Sequence, residues 1–164
     1  MDPNVNPFAV LSLIVAPAIL TNASSVLALS TGNRLARAVD RARELSKQLE
    51  ECTDFTSTDA ARRLKELSAA ENRALLLMRA LRSFYTALGG FASAALVSLL
   101  GAVLVPTGLR FVVNVLEVLG VVAGLIAVGA LVHGASLLVG ETQIAVQVLS
   151  DRAANVRARI PPVP

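Results

Sequence analysis

The chain has 164 residues, 54% of them hydrophobic, with a mean hydropathy of +0.63 and a formal charge of +3 at pH 7. Its charge is confined: no charged residue falls between Asp2 and Arg34, between Arg82 and Arg110, or between Glu117 and Glu141. Each uncharged run exceeds the roughly 20 residues needed to cross a ~30 Å hydrocarbon core, which argues against a single soluble domain. Of the 15 Lys and Arg residues, 11 lie between positions 34 and 82, interleaved with eight Asp and Glu. That mixture describes solvated helix faces, not a basic groove for nucleic acid.

In chain order, the first helix begins near Pro7-Phe8. The segment before it holds Asp2 and no basic residue, and the apolar run is longer than a signal-peptide core, so it reads as a retained membrane helix. Pro17 removes a backbone donor within it. Nothing stops the helix at Gly32, which costs only about 1 kcal/mol relative to Ala, and the pattern continues to about Glu51. A turn over 52–58 follows, with Ser57 or Thr58 as the cap of a second helix. This helix runs from Asp59 through Arg82 into the second uncharged run and ends near Pro106-Thr107-Gly108. The third helix starts near Phe111 and continues past Glu141 to about Ala154. Ile160-Pro161-Pro162-Val163-Pro164 cannot continue it. The fold class is all-α: three transmembrane helices, the first two extended into a long cytoplasmic antiparallel hairpin. The segments are 1–33 (first span), 34–82 (hairpin), 83–109 (second span), 110–141 (third span) and 142–164 (cytoplasmic C-terminal tail).

Basic residues in short flanks set orientation. The N-terminal flank has none, 34–82 has 11, the connection at Arg110 has one, and the C-terminal segment has Arg152, Arg157 and Arg159. The N-terminus is therefore expected outside and the C-terminus in the cytoplasm. Cys52, the only cysteine, falls in the cytoplasmic turn and reads as a reduced thiol.

Steps of three and four mark a seam on each long helix. On the first it comprises Ala18, Thr21, Ser25, Ala28, Gly32, Leu35, Val39, Ala42, Ser46 and Leu49. On the second it comprises Leu64, Leu67, Ala74, Met78, Leu81, Tyr85, Leu88, Ala92 and Ala95. Small residues suit the membrane part, where close backbone approach rather than hydrophobic drive holds helices together. Gly120 and Gly124 form a GxxxG, and Gly90 with Ala94 a second small pair; both read as helix-packing positions.

Four residue groups stand out chemically. Thr21, Asn22, Ser24 and Ser25 cluster just after Pro17, near the middle of the first span. They read either as interhelical hydrogen-bonding groups or as the lining of a water-filled path formed by a ring of first helices. His133 reads as a packing residue hydrogen-bonded near Ser136, or as a gating or proton-relay group. Asn33, Arg34, Arg37, Arg41 and Arg43 form a juxtamembrane basic segment suited to anionic lipid, or to an anion-attracting vestibule. Glu117 and Glu141 bracket the third span as interfacial carboxylates. No phosphate loop, metal-ligand spacing or nucleophile–base set is present, so neither an enzyme nor a cofactor or metal site is expected.

The segments Asn6-Pro7-Phe8-Ala9, Pro17-Ala18-Ile19-Leu20 and Asn33-Arg34-Leu35-Ala36-Arg37, with Asp40-Arg41, Arg43, Leu45 and Glu141, resemble a family of small bacterial membrane proteins defined as a domain of unknown function. The resemblance implies three spans and a bacterial inner membrane, and carries no activity. The expected protein is a homo-oligomer in the lipid bilayer. It acts either as an ion channel lined by the first span or as a scaffold whose cytoplasmic hairpin docks a partner protein.

Overall fold

The computed structural model describes the backbone of residues 7–52, 55 and 57–159, and the side chains of most of them from Val15 onward. Thr53, Asp54 and Thr56 of the expected turn and the proline-rich segment 160–164 lie outside the described residues. Among those described there are three long helices: α1 (Pro7–Glu50), α2 (Thr58–Leu104) and α3 (Arg110–Arg159). With 44, 47 and 50 residues, each is roughly 65–75 Å long at 1.5 Å per residue. Each is long and apolar enough to cross a membrane, and each exceeds the ~30 Å core by a factor of about two.

Local chemistry sets the ends. Ser57 accepts a hydrogen bond on its hydroxyl oxygen from the Ala60 amide at 3.2 Å, capping α2, and Asp59 sits in the first turn, where the helix dipole favours an acid. Arg63 donates to the Gln48 carbonyl at 3.2 Å and so neutralises the C-terminal end of α1. α2 closes through a 3₁₀ turn, Val105–Thr107, at Pro106. Gly108 then takes φ 74°, the left-handed conformation that a Cβ disfavours, and the chain re-enters a helix at Arg110.

The chain divides into two units, and all three helices contribute to both. The first unit holds the α1 residues up to Ser30 and Leu81–Gly134. Its buried residues are small or aromatic: Ser24 and Ala28 on α1, Phe84, Ala87, Phe91 and Ala94 on α2, Ala127 and Gly134 on α3. Ala87, Phe91 and Ala127 form a cluster against which Leu20, Ala130 and Leu131 pack. A Cβ built on Gly134 would come 2.7 Å from the Phe84 ring, and one on Gly90 would come 2.8 Å from the Ala127 Cβ. These glycines admit contacts that no larger residue would allow, the close-packing device of helices without hydrophobic drive. Gly120 makes ordinary contacts with Val97 and Ser98, and Ala94 is buried. A Cβ built on Gly124, which is half-buried, would meet nothing within 4 Å.

The second unit holds Thr31–Ala80 and the α3 residues from Ala135. Thr31, Ala38 and Leu45 of α1, Ala60, Ala70, Leu77 and Ala80 of α2, and Glu141 of α3 are its buried residues. The expected two-helix hairpin is here a three-helix unit. α3 is unbroken from Arg110 to Arg159, so the C-terminal segment continues the third helix past Glu141 and contributes it to this unit. Lys65 of α2 reaches Asp151 of α3 at 2.9 Å. The half-buried positions Ile144, Ala145 and Val148 continue the inward stripe of α3.

Both seams lie one residue away from where periodicity placed half of their members. On α1 the buried line runs through Ser24, Ala28, Thr31, Ala38 and Leu45, while Ser25 is exposed. On α2 it runs through Ala70, Leu77, Ala80, Phe84, Ala87, Phe91 and Ala94, while Leu64, Met78 and Tyr85 are exposed. The true α1 line carries Ser24 and Thr31, and the true α2 line carries the half-buried Arg73 at the step between Ala70 and Leu77. Polar residues on a buried line deflect any reading that counts apolar ones.

Gly134→Val is expected to lower the unfolding free energy of the detergent-solubilised protein by about 1–3 kcal/mol, the usual cost of overpacking. Gly124→Ala should leave it unchanged or slightly raised. Thermal melts of the two variants side by side check this.

Candidate functional site

The most densely organised polar feature is in the second unit. Glu141 of α3 is completely buried. Arg73 of α2 donates Nε to Oε1 at 2.9 Å and brings Nη2 to 2.7 Å from the same oxygen. Arg34 of α1 donates Nη2 to Oε2 and, at 3.4 Å, to the Thr142 hydroxyl. Thr142 in turn donates to the Leu138 carbonyl at 2.9 Å. One carboxylate thus joins all three helices. A buried carboxylate is tolerated only when paired and fully hydrogen-bonded, and both Glu141 oxygens are taken by guanidinium groups. The arginine side chains are each 34% exposed, so their outer edges remain in contact with the surroundings.

Helix periodicity explains how the three side chains meet. Gly120, Ala127, Gly134 and Glu141 fall every seventh residue of α3, and the last three are buried. Arg73 occupies the corresponding step on α2. Of the two carboxylates that bracket the third span, Glu141 sits on the packed stripe and is buried in protein, whereas Glu117 is exposed. Arg73 was not singled out by the sequence reading at all. Its signal is its position, one charged residue in a line otherwise filled by Ala, Leu and Phe.

The juxtamembrane basic residues have different fates. Arg34 enters the triad, and Arg41 pairs with Glu66 at 3.1 Å. Arg37, Arg43 and Asn33 are exposed. Asp40, three residues from both Arg37 and Arg43, makes no ion pair with either among the described residues.

In the first unit, the Thr21–Ser25 cluster does not converge on one point. Thr21 donates to the Pro17 carbonyl at 2.8 Å and Ser25 to the Thr21 carbonyl at 3.0 Å, so both hydroxyls are satisfied within α1. Asn22 is exposed, and Ser24 is buried with no partner for its hydroxyl among the described residues. Leu20, one residue before the cluster, packs against the core of Ala87, Phe91 and Ala127. His133 is exposed next to Gly134, the glycine under Phe84.

Three long apolar helices with polar ends and small-residue packing define a multi-pass membrane protein. The family model for a protein of unknown function, DUF2721, matches residues 14–150. The chain belongs to that family, whose description assigns no activity. No curated protein and no solved structure matches it.

Removal of Glu141 partners should be costlier than removal of Glu141 itself, because the carboxylate is the fully buried member. Arg34→Gln with Arg73→Gln leaves that charge uncompensated and is expected to cost about 3–5 kcal/mol. Glu141→Gln, which leaves two arginines able to turn toward water, should cost roughly 2 kcal/mol. Arg43→Gln should stay within about 0.5 kcal/mol. Denaturant titration of the purified variants ranks them, and equal losses across the set would overturn the order.

Proposed function

We propose that this protein is a homo-oligomeric bacterial inner-membrane protein whose first spans, one per subunit, line an ion-conducting path. The observation that carries the reading is Asn22. Its side chain is exposed on a membrane-crossing helix, and an amide in contact with lipid is costly. A symmetry-related copy, or water between copies, relieves that cost. Ser25 lies on the same exposed side one turn on. Large aliphatic residues are exposed on α3 (Val118, Val121, Leu125, Ile126 and Val132) and on α1 (Ile19, Val26 and Leu29) alike, so Asn22 and Ser25 are polar positions on an otherwise apolar surface. The charge count of the flanks supports an outside N-terminus and a cytoplasmic second unit. Liposomes containing the purified protein are expected to pass ions, and Asn22→Leu should change that flux by more than about tenfold. Flux indistinguishable from empty liposomes would remove the conducting role.

A second reading has its own support. Leu64, Leu75 and Met78 are exposed on α2 in the second unit and fall on one side of the helix by their spacing. An apolar face in a water-exposed unit suits a protein partner, and the protein would then serve as a scaffold with no catalytic role of its own. It predicts a partner retained on the purified protein and lost with Leu75→Glu, in the absence of flux.

Orientation has a direct test in the single cysteine. An impermeant maleimide should label Cys52 in inverted vesicles and leave it unlabelled in intact spheroplasts. The reverse pattern would place the second unit outside.

A further inference from the structure

The triad holds more positive charge and more donors than Glu141 uses. Two guanidinium groups face one carboxylate, which leaves a charge of +1. A guanidinium carries five N–H donors. Arg73 directs Nε and Nη2 to Glu141, and Arg34 directs Nη2 to Glu141 and Thr142. The Nη1 group of each arginine has no hydrogen-bond partner among the described residues. Both side chains are one-third exposed, and their edges turned to Glu141 are held by a buried carboxylate. That is the arrangement of a preorganised anion clamp: the conformational cost of fixing two long side chains has already been met by the fold.

Depth identifies the anion. Arg34 is the first charged residue after the uncharged run that opens at Asp2, and Glu141 is the first after the run that opens at Glu117. Both therefore stand where apolar helix gives way to polar helix, within the headgroup layer that adds some 5–7 Å to each side of the hydrocarbon core. The abundant anion at that depth is the phosphate group, which guanidinium groups recognise in forked geometry.

We propose that Arg34 and Arg73, fixed by Glu141, bind a phosphate group, with the headgroup of an anionic lipid as its source at this depth. Glu141 is a positioning residue; the arginines make the contact. Arg37 and Arg43, exposed and in no ion pair among the described residues, contribute charge without fixed geometry. The proposal is independent of conduction and stands whether or not the protein passes ions.

The test uses the full-length protein in neutral micelles. Retained lipid is counted by native mass spectrometry after addition of phosphatidylglycerol or phosphatidylcholine, and a parallel titration uses inorganic phosphate alone with the melting temperature as readout. Wild type should retain phosphatidylglycerol in preference to phosphatidylcholine and gain thermal stability from it. Arg34→Lys and Arg73→Lys, which keep the charge and lose the fork, should each weaken retention roughly tenfold, the loss of one charge-assisted contact. Arg43→Gln should change it less than twofold. If inorganic phosphate stabilises the protein with the same variant pattern while the lipid is not retained, the site holds and its phosphate is soluble. Failure of both probes to bind wild type overturns the proposal. So does an equal loss in Arg43→Gln, which would mean diffuse attraction to a basic surface. The wild-type arms need no variant to fold, and the lysine variants are admitted only with unchanged helical circular dichroism.

Discussion

A carboxylate without any solvent exposure must be paired or be neutral, and in this protein the pairing reaches into every helix. Glu141 projects from α3 into the interior of the second unit, Arg73 meets it from α2, and Arg34 meets it from α1. Each helix is thereby fixed in rotation and in axial register relative to the other two. Packing alone would do this poorly, because the buried residues around it are mainly alanine, leucine and threonine. Small, similar side chains tolerate sliding by a turn. A charge that must find two guanidinium groups does not, and specification of register is the best-attested use of buried polar groups in helical assemblies.

The first unit solves the same problem by shape. Its glycines at 90 and 134 receive Ala127 and the Phe84 ring, contacts that a single added methyl group would obstruct. Such fitting is suited to a lipid environment, where burial of apolar surface gives no net drive and only close contact and hydrogen bonds favour association. The second unit keeps leucines in its core and ion pairs such as Lys65–Asp151 and Arg41–Glu66 on its outside. Exposed pairs of this kind contribute little each, typically 0–1 kcal/mol; the buried triad is of a different order.

The lengths and near-continuity of the helices were legible in advance. Uncharged runs gave the three spans. The absence of a breaker at Gly32 gave the extension of α1, and Pro106 with Gly108 gave the connection between α2 and α3. The serine cap of α2 was also readable. Family membership followed from the Asn33–Arg37 segment and its neighbours, and the DUF2721 match agrees. The rotation of each helix was less legible. A count of apolar residues selected Met78 and Tyr85 on α2 because Arg73 breaks the line to which Leu77, Ala80 and Phe84 belong. The same count selected Ser25 over Ser24, two residues that no hydropathy scale separates.

Sequence by itself therefore determined the class of the protein: solvent preference is a property of each residue, and a run of uncharged residues states it directly. It also determined where helices begin and end, since caps, prolines and a left-handed glycine act locally. Only the tertiary structure decided that Glu141 is buried in protein, that Arg73 belongs to it, and that the end of α3 packs as the third helix of the second unit. Those facts concern side chains 68 and 107 positions apart along the chain. Whether a charge is buried depends on what the other helices bring to meet it, and that information is carried by no single segment.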